Sequence, residues 1–276
     1  MARNILDDIV QTKRKEVAAA KQQVPLESLL EAIQSLPRCR NFYAALTAKP
    51  QKTANLIAEV KKASPSAGVI RADFDPVAIA KIYAKSGAAA LSVLTDEQYF
   101  QGRLEYIAQV KSAVNLPILR KDFIIDPYQV YQSRAAGADA ILLIAACLTP
   151  GEMMDLIILA SQLTLTCLVE VHDADELMRV RSLVNFPQGC YVLLGINNRS
   201  LATFKVDLAT TLRLAELVDD PRILVSESGI HTASDVQRLR RAGIQTILVG
   251  ESLMRSPDIA AKVEELIGIS GESAEK

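Results

Sequence analysis

Apolar positions along this chain gather into short, nearly unbroken runs that recur: "LIAEV", "LPILR", "AILLIAA", "LTCLVEV", "CYVLLGIN", "RILVSES" and "TILVG". Runs such as "ILLIAA" do not alternate with polar residues, the pattern of strands covered on both faces. Between the runs, apolar residues fall at helical spacing, as in "DPVAIAKIYAKSG" and "SDVQRLRRAG". Three junctions resemble one another: "AKSGAAALSVLTD" (84–96), "RAAGADAILLIAA" (134–146) and "RRAGIQTILVGES" (240–252). Each has a helix-like end, a glycine, one or two small or polar residues, and then an apolar strand. Gly87, Gly137 and Gly243 are predicted just past a helix end, where a positive φ is cheap only for glycine.

Eight strands follow from this pattern, starting near residues 56, 89, 117, 139, 165, 191, 222 and 245. Their intervals of roughly 20 to 35 residues suit one strand, one helix and two loops. Eight such units predict an α/β fold, the (β/α)8 TIM barrel. An open doubly wound sheet usually stops at about five or six strands and carries GxGxxG after the first, which this chain lacks. Residues 1–50 lie outside the repeat. "ILDDIVQTKRKEVAAAKQQ", "LESLLEAIQSL" and "FYAALTA" predict an N-terminal helical extension packed on a barrel of 51–269, with 270–276 as a flexible tail. Such an extension could cover one mouth and exclude water.

Active sites of these barrels lie at the carboxyl ends of the strands. The first strand ends in Glu59 and Lys61, which share a face with Ile57 and lead into the loop "SPSAG". The third ends "LRKDF", with Lys121 in phase with Leu119, and the fifth "LVEVH", with Glu170 in phase with Leu168. Interleaved lysines and carboxylates offset one another's desolvation, whereas a single buried charge is costly. The predicted cluster of Glu59, Lys61, Lys121 and Glu170 therefore has the make-up of an acid–base site. "SESGI" and "VGES" place Gly229 and Gly250 at the last two βα turns, where backbone N–H groups commonly cradle phosphate. Glu251 is unhelpful to an anion there, and its side chain is expected to point away. His172 is read as a rim residue.

Composition narrows the alternatives. The 276 residues are 50% hydrophobic and 23% charged, with 31 Lys plus Arg against 32 Asp plus Glu. That balance leaves no broad basic field for nucleic acid or an acidic membrane. Cys39, Cys147, Cys167 and Cys190 show no CxxC spacing, and His172 and His231 are far apart, so no metal site is expected. The longest apolar run, 140–148, is too short to span a bilayer, and the first residues lack a signal-like apolar segment. A cytoplasmic protein is expected.

Taken in order, "ILDDIVQTKRKEV", "IAEVKKASPSAG", "LSVLTDEQYFQG", "LPILRKDFIID", "LVEVHD", "GINNRSL", "SESGI" and "LVGESLM" resemble the indole-3-glycerol phosphate synthase family over nearly the whole chain. The resemblance implies ring closure of a carboxyphenylamino-deoxyribulose phosphate with loss of carbon dioxide and water, in tryptophan biosynthesis, with no metal or organic cofactor. It implies Lys121 as principal general acid and Glu170 as general acid/base in the dehydration, with Glu59 and Asn197 holding the lysine. Lys61 would bind substrate anions or donate a proton itself, and which lysine acts at which step stays open. Arg199, Ser228, Gly229, Gly250 and the amide of Glu251 would surround the phosphate, with Ser64 and Glu227 also against substrate. Phe100, Phe123, Leu142 and Leu201 would form the anthranilate pocket, which Phe204 narrows, and Pro65 would shape a closing loop. The substrate would be the small molecule alone, with at most weak association with other enzymes of the pathway. Rival readings are an isomerase barrel working by Amadori rearrangement, a Schiff-base aldolase using Lys121, and a non-catalytic barrel subunit.

Overall fold

The computed structural model describes residues 5–184, 191–200 and 205–268. Eight parallel strands close into a barrel: β1 Asn55–Val60, β2 Ala90–Leu94, β3 Ile118–Lys121, β4 Ala140–Ile144, β5 Thr166–Val171, β6 Val192–Asn197, β7 Leu224–Glu227 and β8 Thr246–Val249. Consecutive strands are neighbours, and the ring closes where Asn55 pairs with Thr246 and Ala58 with Val249. This is the predicted (β/α)8 barrel. Every residue of β1, β2, β4, β5, β7 and β8 is buried, which explains the unbroken apolar runs.

The helices are α1 Ile5–Gln23, α2 Leu26–Gln34, α3 Phe42–Thr47, α4 Pro76–Lys85, α5 Glu105–Ala113, α6 Pro127–Ala135, α7 Pro150–Gln162, α8 Ala174–Val184, α9 Ala209–Ala215, α10 Ala233–Arg241, α11 Glu251–Arg255 and α12 Ile259–Ile267. The repeated junction has one physical form. After α4, Gly87 at φ 90° lets its N–H reach Ala84 O and the Ala88 N–H reach Tyr83 O. Gly137 and Ala138 repeat these bonds after α6, as do Gly243 and Ile244 after α10. This paired closure satisfies carbonyls the helix leaves open and turns the chain straight into the next strand. Starts are equally specified. Asp75 and Asp126 cap helices that begin with proline, and Thr149 and Thr232 form capping boxes with Glu152 and Asp235.

The amino-terminal helices divide between the two ends of the barrel. At the amino ends of the strands, Asn55 donates to the carbonyls of Leu46 and Ala48, and Thr246 also donates to Leu46, so the end of α3 is pinned there. Helix α1 lies at the opposite, carboxyl mouth. Its Lys13 is 3% exposed and sits 2.9 Å from both Asp96 and Asp122, just past β2 and β3. Arg120 completes the cluster, 3.0 Å from Asp122. Burial resists charging Asp122, but Arg120 and then Lys13 hold its carboxyl far below the usual range. Removing one partner of such a buried cluster is expected to cost about 3 kcal/mol or more. Lys13→Met should therefore lower the urea midpoint with little change in slope, and an unshifted midpoint would deny the clamp its role.

The loop after β1 forms a small hairpin in which Ala63 pairs with Val69 and Ser64 with Gly68. Gly68, at φ 64°, supplies the left-handed residue that the tight reversal needs. Arg71 then ties the hairpin to the carbonyls of Met254 and Ser256.

Candidate active site

The carboxyl ends of the strands form one bowl. Glu59, Lys61, Lys121, Glu170, Asn197 and Glu227 all line it, contributed by β1, β3, β5, β6 and β7 and their ends. Lys121 Nζ lies 3.3 Å from Glu170 Oε2 and 3.7 Å from Glu227 Oε2. Lys61 Nζ lies 2.6 Å from Glu59 Oε1, whose other oxygen accepts from Ser92 at 3.4 Å. Charges separated by more than a hundred residues in sequence thus meet, because alternation aims every second residue near the strand ends inward.

Two glycines make the approach sterically feasible. A Cβ on Gly195 would collide with the Glu227 carboxylate, and one on Gly250 with that of Glu59. Gly195 pairs with Glu170 in the sheet, so the bare position on β6 leaves space for the carboxylate of β7 beside the acid of β5. Gly195→Ala is expected to displace Glu227 and reduce turnover while secondary structure persists, which circular dichroism alongside the rate assay would show. Unchanged turnover would mean that this packing is immaterial.

Burial works against every charge here, and the partners decide the outcome. Lys121 is raised well above the ordinary lysine range, because the carboxylates around it, Glu170 first, outweigh its desolvation. Glu170 is held below the carboxylate range, since Lys121 first and His172 next outweigh burial. Glu59 is lowered by Lys61 and Lys121 in the same way. Glu227 goes the other way. Burial and the Glu170 charge drive it well above the usual value, and its Oε1 has no hydrogen-bond partner. It is therefore the protonated acid of the set, beside an ionised Glu170 and a charged Lys121.

The candidate anion end lies at the last strands. Ser228 and Gly229 take φ 66° and 75°, two successive left-handed residues just past β7, a backbone form that suits an anion-binding concavity. Ser228 is a non-glycine in this region, a strain that marks functional loops. Asn198 supports it from behind, donating to the carbonyls of Glu227 and Ser228 while accepting from Thr211. Arg199, Gly250 and Glu251 line the same part of the bowl, and Ser64 and Pro65 face it from the hairpin. At the apolar side, Phe100 and Phe123 have ring centroids 6.2 Å apart, with Leu142 beside them. Leu201, Phe204 and Cys190 lie outside the described residues.

Three expectations change. Glu251 does not turn away from the anion end, because Arg199 and Arg255 sit 3.2 and 3.0 Å from its carboxylate and draw it in. Asn197 accepts from the backbone N–H of Arg199 rather than bonding Lys121. His172 is not a rim residue. Its side chain is only 7% exposed, packed between Glu170 and Glu176. Sequence reasoning also missed Ile5, Leu6 and Ile9 of α1, which roof the bowl. Their helical spacing marked an apolar face, but nothing local said what that face covers.

Residues 6–266 match the family described as "Indole-3-glycerol phosphate synthase". A protein of that name from Rhodopirellula baltica is 51% identical over 263 residues, spanning 95% of this chain and 98% of the relative. Another, from Polaromonas naphthalenivorans, is 50% identical over 267 residues, spanning 96% and 99%. Among solved structures, the chain resembles a 3-hexulose-6-phosphate synthase from Salmonella typhimurium at TM-score 0.61 and 14% identity, over 77% of this chain and 96% of that one. An N-acetylmannosamine-6-phosphate 2-epimerase from Clostridium perfringens gives 0.58 at 14% identity, over 79% and 93%. At that identity the likeness concerns the fold alone. The match to a single family over nearly all of both sequences, on a barrel whose strand ends gather paired lysines and glutamates, shows that this chain belongs to the indole-3-glycerol phosphate synthase family.

Proposed function

We propose that the bowl runs the family's carboxy-lyase reaction with Lys121 and Glu170 as its acid and base. The chain is an indole-3-glycerol phosphate synthase of tryptophan biosynthesis. Its substrate is 1-(2-carboxyphenylamino)-1-deoxyribulose 5-phosphate. The observation that carries the assignment of roles is the position of Lys121, whose ammonium lies 3.3 Å from Glu170 and 3.7 Å from Glu227 inside the bowl.

The anthranilate ring lies against Phe100, Phe123 and Leu142, roofed by α1, and the phosphate lies at Ser228, Gly229, Gly250 and the Glu251 amide, with Arg199 and Ser64 at its edge. Held at both ends, the carbonyl carbon meets the ring carbon that bears the carboxylate. As that bond forms, the carbonyl oxygen becomes an alkoxide. A lysine as strongly held as Lys121 gives up its proton only to so basic a group, which confines transfer to the transition state. Carbon dioxide then leaves, its bonding electrons restoring the aromatic ring. Glu170 takes a proton from the carbon next to nitrogen, the hydroxyl departs as water with a proton from Lys61, freed once the carboxylate has gone, and the pyrrole is complete. Lys61, steadied by Glu59, pairs with the substrate carboxylate until it is lost. Glu227 bears on the substrate through its proton, and Asn197 bears on the phosphate by fixing the Arg199 backbone. Pro65 shapes the hairpin that closes over the bound substrate.

Two further expectations accompany this reading: a cytoplasmic enzyme, with 1–50 serving as an extension to the 51–269 barrel, and only weak association with other enzymes of the pathway. Indole fluorescence tests the proposal. Arg199→Ala should raise KM about tenfold or more, the loss of one charge-assisted contact, with a smaller effect on kcat. An unchanged KM would remove Arg199 from the phosphate site.

A further inference from the structure

Behind the floor of the bowl, a chain of alternating charges runs from the active site into α8. Glu170 presents Oε2 to Lys121 at 3.3 Å and Oε1 to His172 Nε2, also at 3.3 Å. The imidazole contact is an ion pair without hydrogen-bond alignment. On the far side, His172 Nδ1 lies 3.1 Å from Glu176 Oε2, and the same oxygen accepts the His172 backbone N–H at 2.8 Å. Glu176 is itself fixed in the first turn of α8, where its N–H donates to Asp173. A carboxylate that grips both the ring and the backbone of one histidine leaves the imidazole little freedom. Nothing in the proposed chemistry requires this histidine to touch substrate, and it does not line the bowl.

We infer that His172, clamped by Glu176, is a positioning residue: as a buried cation it fixes the Glu170 carboxylate in its ionised form and aims its other oxygen at Lys121. This rests on the role proposed above for Glu170. Lys121 alone would leave Glu170 balanced from one side only, with the protonated Glu227 and the ionised Glu59 nearby on β7 and β1. Other titratable groups around it come from the β4–α7 turn and from α1. Cys147 is pushed up to about 12 by burial and then by Glu170 and Glu176, so it stays neutral, and Asp7 acts on that thiol rather than on the histidine. The local sum therefore depends on the imidazolium. Burial alone would discharge it, but the contacts with Glu170 and then Glu176 carry His172 up to about 10. It stays charged throughout the neutral range.

His172→Ala, His172→Gln and Glu176→Gln, assayed by indole fluorescence across pH, test the inference. His172→Ala should lower kcat about tenfold or more and leave KM within about twofold, and should move the acid limb of kcat up by about one pH unit, since Glu170 then protonates more easily. His172→Gln should recover part of kcat but not the position of the limb. In 15N spectra, the wild-type ring should read as imidazolium at pH 8, and Glu176→Gln should bring its titration down. The inference fails if the ring is neutral at pH 8. It fails equally if His172→Ala keeps the wild-type limb, whether kcat is unchanged or falls together with thermal stability. Glu170→Gln run alongside separates the two readings. Normal turnover there would overturn the base assignment itself, whereas a loss there beside a wild-type limb in His172→Ala would overturn only the positioning role.

Discussion

Lys121→Met is expected to reduce kcat by about 100- to 10,000-fold, the usual worth of a positioned general acid. Methionine keeps the unbranched apolar stem of lysine without the terminal nitrogen, so the loss reports the ammonium and not a large cavity. Without that proton the alkoxide would form unneutralised inside a bowl that already holds the carboxylates of Glu59 and Glu170. The change also removes the main force holding Glu170 ionised, so residual activity should fall away at a higher pH than in the wild type. KM should move much less, because the phosphate site lies on other loops and Phe100, Phe123 and Leu142 keep their contacts with the ring. A steady-state fluorescence assay, with near-ultraviolet circular dichroism to verify the fold, measures all three effects. A loss under tenfold would shift the acid role to Lys61, the other ammonium of the bowl.

Glu170→Gln is expected to cost a similar factor, about 100-fold or more, for a different reason. The amide keeps the shape and a hydrogen-bond acceptor for Lys121, but cannot accept the proton from the ring-closing intermediate. Ring closure and decarboxylation should persist, so carbon dioxide should be released in a first turnover faster than indole appears. In the wild type the depressed Glu170 is ionised above the ordinary carboxylate range. Its contribution to turnover is therefore full at neutral pH and lost only as pH falls toward its folded value. The amide variant should lack that acid limb. Equal rates of carbon dioxide release and indole formation in Glu170→Gln would place its action before decarboxylation.

The architecture was open to sequence reasoning because local chemistry repeats. Glycine after α4, α6 and α10 forces the same paired closure each time, and two-sided burial erases polar alternation from the strands between. The predicted starts lie within two residues of those observed. The largest difference is at β7, where Pro221–Ile223 forms a short 3-10 turn capped by Asp220 before the strand begins. The charges at the strand ends were legible for a related reason: parity along a strand says which residues face inward, so Lys121 and Glu170 could be paired across 49 positions.

What stayed hidden is set by contacts between elements with no sequence regularity. Lys13 lies on a helix rich in exposed charges, and only the docked barrel shows that it is buried against Asp96 and Asp122. His172 follows Glu170 by two residues, at the strand end where alternation breaks, so parity no longer fixes its direction. Its partner Glu176 is one helical turn further on, a spacing that reads equally well as a surface pair. Glu251 shows only its sign in the sequence, while its direction depends on Arg199, 52 positions away.

Most of the mechanism reduces to one statement, that a buried ammonium and a buried carboxylate work as a unit on the carboxyphenylamino-deoxyribulose phosphate. Indole fluorescence from that substrate, compared among the wild type, Lys121→Met, Glu170→Gln and the double variant, measures it directly. Turnover should be brisk in the wild type, fall about 100-fold or more in each single variant, and be only slightly slower in the double variant than in the worse single one. Near-normal rates in either single variant, or a double loss equal to the product of the two, would contradict it.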